Sequence, residues 1–129
     1  MKLKMLVPML AVEDIRIAHK FYVQLGFEIC SPVEKIEEWC WCNLKKDQVQ
    51  VMLSQTKFGH MRPQKRISES EHYFSCCLYF YPNNVETLYE HYKKIGIKVS
   101  ELHTTFYGMK EFSLHDPDGH LLSFGQDNK

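Results

Sequence analysis

The chain has 129 residues, 44% of them hydrophobic, enough for one folded domain with a core. Its 16 basic and 16 acidic side chains cancel, so no charge surplus argues for nucleic acid or an anionic membrane as partner. No apolar run approaches the roughly 20 residues of a membrane span, and Pro8, Glu13 and Asp14 interrupt the apolar start, so neither a membrane anchor nor a secretory signal is expected.

In chain order, residues 2–12 alternate loosely and read as a strand. Asp14 then fits an N-cap, because its carboxylate can accept from the open amides of a first helical turn. Ile15, Ala18, Phe21, Tyr22 and Leu25 recur at helical spacing, and Gly26 stands where a helix-ending glycine belongs. FEIC (27–30) reads as a short strand. KIEEWCWCNL (35–44) alternates and reads as another, followed by a turn at KKDQ (45–48) and a third strand over 49–54.

Residues 56–71, TKFGHMRPQKRISESE, are polar and locally basic, with Gly59 and Pro63, and read as a connector. The basic stretch from Lys57 to Arg66 is most simply a solvated loop. The pattern then repeats. HYFSCCLYFY (72–81) is strand-like, and Asn83 or Asn84 caps a helix with Val85, Leu88, Tyr89, Tyr92 and Ile95 on its apolar face, ending at Gly96. Strands are expected over 98–102, 109–114 and 121–124. The chain thus divides into a module of about 1–55, a connector of about 56–71 and a module of about 72–126, within one domain spanning 1–129.

This duplicated pattern resembles the vicinal oxygen chelate superfamily, which includes glyoxalase I, extradiol dioxygenases, fosfomycin-resistance enzymes and bleomycin-resistance binding proteins. Two motifs carry the resemblance: VPMLAVEDIRIAHKFYVQLGFEI at 7–29 and YGMKEFSLHDPDGHLLSFGQ at 107–126. It implies an α+β fold, two βαβββ modules forming a curved eight-stranded assembly around a cavity, often in homodimers. In metal-using members four His, Gln or Glu side chains from four strands hold a divalent ion in that cavity. Those positions fall on Val7, Met52, Cys77 (or Ser75 in the other register) and Ser123 of this chain. None is a carboxylate or imidazole, so the resemblance implies a member without that ion, and no cofactor is expected.

The remaining polar candidates divide between structural and functional readings. In LHDPDGH (114–120), Pro117 presets φ and Gly119 permits a positive φ, so the segment reads as a turn. The acidic spacing of a calcium loop is absent, which leaves His115 and His120 as rim contacts at most. His19 and His91 fall on exposed helix faces, and His60, His72 and His103 could form a displaced metal site only if the fold gathers them. There are five cysteines, Cys30, Cys40, Cys42, Cys76 and Cys77, an odd number without a CxxC pair; free thiols in a reducing cytoplasm are expected. Cys77 reads as a small buried hydrophobe rather than a nucleophile, since no base accompanies it. Glu111 could be a carboxylate at the cavity mouth, though a solvent-facing strand position explains it more simply.

Aromatic residues favour a flat organic ligand. Trp39 and Trp41 would share one strand face, Tyr79 and Tyr81 lie on the Cys77 face, and Phe106 and Tyr107 precede Gly108. The expected function is binding of a small organic molecule in an aromatic-lined cavity without catalytic metal. Trp39, Trp41 and Tyr79 would stack, Gln50, Ser75 and Ser123 would supply hydrogen bonds, and Met52 and Cys77 would complete the lining. The alternative is a metal-dependent lyase or glutathione transferase resembling glyoxalase I, with a non-standard ligand set such as His72 in place of Cys77.

Overall fold

The structure is a computed structural model that describes residues 1–55 and 76–128. The connector at 56–71, with His60 and the basic stretch Lys57 to Arg66, lies outside the described residues, as do His72 and Ser75. The chain forms two compact units, Met1–Lys65 and Arg66–Lys129.

In the first unit the elements run β1 (Met9–Ala11), α1 (Ile15–Gln24), β2 (Glu28–Ile29), a 3-10 turn (Val33–Lys35), α2 (Ile36–Trp39), β3 (Trp41–Lys46) and β4 (Val49–Ser54). The sheet order is β1-β4-β3-β2, with β1 parallel to β4 and the other pairs antiparallel. The second unit repeats this as β5 (Leu78–Phe80), α3 (Val85–Lys94), β6 (His103–Thr104), β7 (Met109–His115) and β8 (Leu121–Asp127), in the order β5-β8-β7-β6. Both units are βαβββ modules, and the fold class is α+β, as expected.

The two helices are built alike. Asp14 accepts from the Arg16 amide at 2.9 Å and Asn84 from the Thr87 amide at 3.0 Å, each satisfying an open donor of the first turn. A second acceptor arrives from the sheet: Gln55 Oε1 takes the Ile15 amide and Gln126 Oε1 the Val85 amide, both at 2.8 Å. At the other end Gly26 and Gly96 adopt φ of +106° and +88°. Phe27 N–H then reaches Tyr22 O, and Ile97 N–H reaches Tyr92 O, each at 3.0 Å. These are Schellman closures, which favour glycine because a β-carbon is strained at positive φ.

Each helix covers one face of its own sheet. Ala18, Tyr22 and Leu25 are buried together with Cys42, Leu44, Val51 and Leu53, the strand residues that alternation sends to one side. In the second unit Tyr92 packs edge-on against Phe112 and Phe124, whose rings stack 5.0 Å apart. Tyr22 and Tyr92 thus hold the same place in the two modules. Burial of such side chains contributes about 1.5–3 kcal/mol each, so each sheet is held to its helix on one face only and leaves the opposite face for other uses.

Several sequence expectations are corrected. Strand β1 is confined to Met9–Ala11 and residues 1–8 belong to no helix or strand. The segment 35–44 is not one strand: its first part is helical, and Cys40 at φ +53° ends that turn before β3 begins. β3 runs on to Lys46, and the turn narrows to Asp47 and Gln48. The strand expected over 98–102 is displaced to His103–Thr104. Ser100 nevertheless joins β7, its amide donating to Ser113 O and its hydroxyl accepting from Ser113 N, each at 2.8 Å. His19 is half-buried, not exposed, and desolvation lowers its pKa.

Candidate functional site

Alternation fixes which side chains occupy the sheet faces opposite the helices. In the first unit Trp41 lies beside Ser54, Asn43 beside Met52, Lys45 beside Gln50, and Met9 beside Met52. Trp41, Gln50 and Met52 therefore share the helix-free face. Trp39 does not. It sits on α2, is 50% exposed, and does not share a strand with Trp41. Val7 precedes β1 and is half-buried.

In the second unit the helix-free face carries Tyr79 beside Ser123 on the parallel pair, then Ser113 beside Ser123, Glu111 beside Gly125, and His103 beside Glu111. Here the polar groups are linked. Ser123, buried in the sheet, shares a 2.8 Å hydrogen bond with Ser113, and the Cys77 thiol donates to Ser123 Oγ at 3.4 Å. Tyr79 extends across the sheet to donate to Glu111 Oε2 at 2.8 Å. Tyr107, from the turn before β7, donates to the same carboxylate at 3.1 and 3.2 Å. His103 Nε2 lies 3.7 Å from Glu111 Oε1.

Glu111 is the residue that sequence reasoning undervalued. Its side chain is only 14% exposed, and it is the hub of the network rather than a solvent-facing strand position. The phenols that serve it hold their protons firmly. Burial first, and then the hydrogen bond to Glu111, push the Tyr79 phenol above its ordinary value, and the same two causes raise Tyr107. The reach of Tyr79 depends on a missing side chain: a β-carbon placed on Gly125 would collide with the Tyr79 hydroxyl.

The turn at DPDG is structural. Asp116 is buried, and its Oδ1 accepts from the Asp118 and His120 amides at 2.9 and 2.8 Å. Gly119 takes φ +89° and donates to Asp116 O. This closed Asx arrangement joins β7 to β8 and sets the register that brings Ser113 to Ser123.

Among the described residues, the positions that the resemblance assigns to an ion carry no carboxylate or imidazole. Val7 has no donor atom, Met52 offers only a thioether, and the Ser123 hydroxyl is engaged by Ser113 and Cys77. Among the described residues no group of three or more His, Cys, Asp or Glu could hold a metal. Cys30, Cys40, Cys42, Cys76 and Cys77 are free thiols, but Cys77 is exposed and not the buried hydrophobe expected; burial pushes Cys42 up to about 11. Among the described residues no helix is long and apolar enough to cross a membrane.

The same architecture occurs in known structures. The crystal structure of SMU.1112c matches with a TM-score of 0.73 at 28% identity, covering 96% of this chain and 99% of that one. A bleomycin-binding protein complexed with bleomycin matches at 0.71 and 19% identity, over 97% and 99%. Lactoylglutathione lyase from Agrobacterium tumefaciens matches at 0.68 and 17% identity, over 97% and 94%. The last two likenesses concern fold alone, and they link one fold to a binding protein and to an enzyme. No curated protein matches the sequence. The sequence profile of one family does, over residues 4–124, and with its two βαβββ modules the chain belongs to the Glyoxalase/Bleomycin resistance protein/Dioxygenase superfamily.

Proposed function

We propose that this protein binds a small organic molecule on the helix-free face of the second sheet, without a resident metal. The observation that carries this reading is the Tyr79–Glu111–Tyr107 network. A nearly buried carboxylate and two tyrosines are held by hydrogen bonds on the one face that the helix does not cover. Convergent polar groups beside aromatic surface are the usual make-up of a ligand site. In the first unit, Trp41, Gln50 and Met52 share the corresponding helix-free face.

In this mechanism a flat ligand lies against the tyrosine rings while Ser113, held by its bond to Ser123, orients its polar edge. Each well-buried ring contact contributes on the order of 2 kcal/mol. Two or three such contacts on a preorganised surface support roughly micromolar affinity. The fixed hydrogen bonds matter here because side chains already ordered lose little entropy on binding. The protein is expected to act in a reducing cytoplasm, consistent with its free thiols, and to pair as a homodimer.

The lyase reading requires donors beyond Val7, Met52 and Ser123, since Cys77 alone of the four positions carries a good metal ligand. A thermal-shift screen of flat aromatic fragments tests the binding reading. Fragments that raise the melting temperature of the wild type should lose that effect in Tyr79→Ala. Equal shifts in both proteins would remove the second sheet from the account.

A further inference from the structure

We propose that the occupant of this face carries a protonated nitrogen, an ammonium or guanidinium group on a flat organic body, seated against Glu111. The inference rests on the ligand-site reading above and names the chemical class that site selects.

Charge is the first reason. Among the described residues, no lysine or arginine takes a helix-free position on β5, β6, β7 or β8. Lys110, next to Glu111 in the chain, points to the opposite face and pairs with Glu86 in the first turn of α3. The half-exposed His103, 3.7 Å away, is the neighbouring basic group. Among the described residues, Glu111 is thus set in the sheet with hydrogen-bond donors around it but no guanidinium or ammonium beside it. Partly desolvated carboxylates gain most from such a partner.

Acceptor capacity is the second. A carboxylate offers about four lone-pair sites. Tyr79 uses one at Oε2, and Tyr107 bridges both oxygens from one side. Acceptor capacity is left at Oε1. The phenol protons, by contrast, are already committed to Glu111, so an anionic ligand would find few donors there and a carboxylate opposing it.

The third reason is the surface around the charge. Tyr81, Phe106 and Tyr107 are 77%, 100% and 56% exposed. The Tyr79 and Tyr81 rings lie 5.1 Å apart, and those of Phe106 and Tyr107 4.9 Å apart. Aromatic faces attract cations through the ring quadrupole, so rings and carboxylate favour the same sign of charge.

The test uses three probes of one shape and different charge: 2-naphthylmethylammonium, 2-naphthylmethanol and 2-naphthoate. Each is titrated at neutral pH into wild type and Glu111→Gln, with binding read by backbone amide shifts. We expect the ammonium probe to bind at least about tenfold tighter than the alcohol, with naphthoate weakest. Glu111→Gln should bring the ammonium and alcohol to within about threefold of each other. Comparable binding of all three probes to wild type overturns the cation inference while leaving the ligand site standing. So does a charge preference that persists in Glu111→Gln. Failure of every probe to move the second-sheet amides overturns both. The wild-type comparison needs no variant, so a poorly folding Glu111→Gln would not spoil the test.

Discussion

The Tyr79 ring lies across Gly125, its hydroxyl standing where a β-carbon on that glycine would project. The backbone at Gly125 is not in the left-handed region, so what the position requires is space, not a special φ. A Gly125→Ala chain can therefore keep its strand, but it must expel the ring and break the bond from Tyr79 to Glu111. We expect a loss of about 1.5–3 kcal/mol in urea unfolding, the range for a hydrogen bond to a charged group. Tyr79→Phe added to Gly125→Ala should then cost almost nothing more, since both changes remove one interaction. Additive losses would show that the ring is not held by that bond.

The paired glutamines give a separate prediction. Gln55→Ala and Gln126→Ala should each destabilise the fold by about 1 kcal/mol, as loss of a helix cap does. Gln126→Glu should recover most of that, because a carboxylate oxygen still accepts the Val85 amide and suits the positive end of the helix. Denaturant melts of the three variants check this. Wild-type stability in either alanine variant would mean that water replaces the amide without cost.

Much of this architecture was legible in the residues. Asp14, Gly26, Asn84 and Gly96 marked both helices because caps have specific chemistry, and DPDG marked the last hairpin. The segment KIEEWCWCNL misled because Ile36 and Trp39 satisfy a helical spacing as well as Trp39 with Trp41 and Cys40 with Cys42 satisfy alternation. Tertiary bonds decided the matter: Cys40 turns left-handed and its carbonyl accepts the Gln55 amide at 2.8 Å. Glu111 was undervalued for a different reason. Its strand parity was readable, but the convergence of Tyr79 and Tyr107 upon it depends on strand order and on the space above Gly125. A glycine opposite Glu111 in the DPDG hairpin was the available signal.

Stability at high pH should report on Cys42. Burial raises its thiol from an ordinary value near 9.0 to about 11. The folded state therefore keeps the proton where the unfolded chain releases it. The stabilisation that comes from keeping this thiol neutral is complete below pH 9 and is lost as pH rises towards about 11. Over that interval Cys42→Ala should lose stability with pH less steeply than wild type. Parallel curves from urea melts would indicate that Cys42 reaches solvent.

Metal retention bears on the donor set. After incubation with nickel, zinc, cobalt or manganese and desalting, we expect well below one ion per chain, because Val7, Met52 and Ser123 are poor ligands. One tightly held ion per chain would restore the lyase reading, and replacing Cys77 with alanine would then show whether that thiol is among its ligands.

The most direct test of the central claim is an amide chemical-shift map of the protein titrated with flat aromatic fragments. The account predicts the largest shifts at Glu111, Ser113, Ser123 and Gly125, with α3 little changed. Shifts centred on α3 or on residues 1–8, or no saturable shift from any fragment, would contradict a ligand site on the helix-free face of the second sheet.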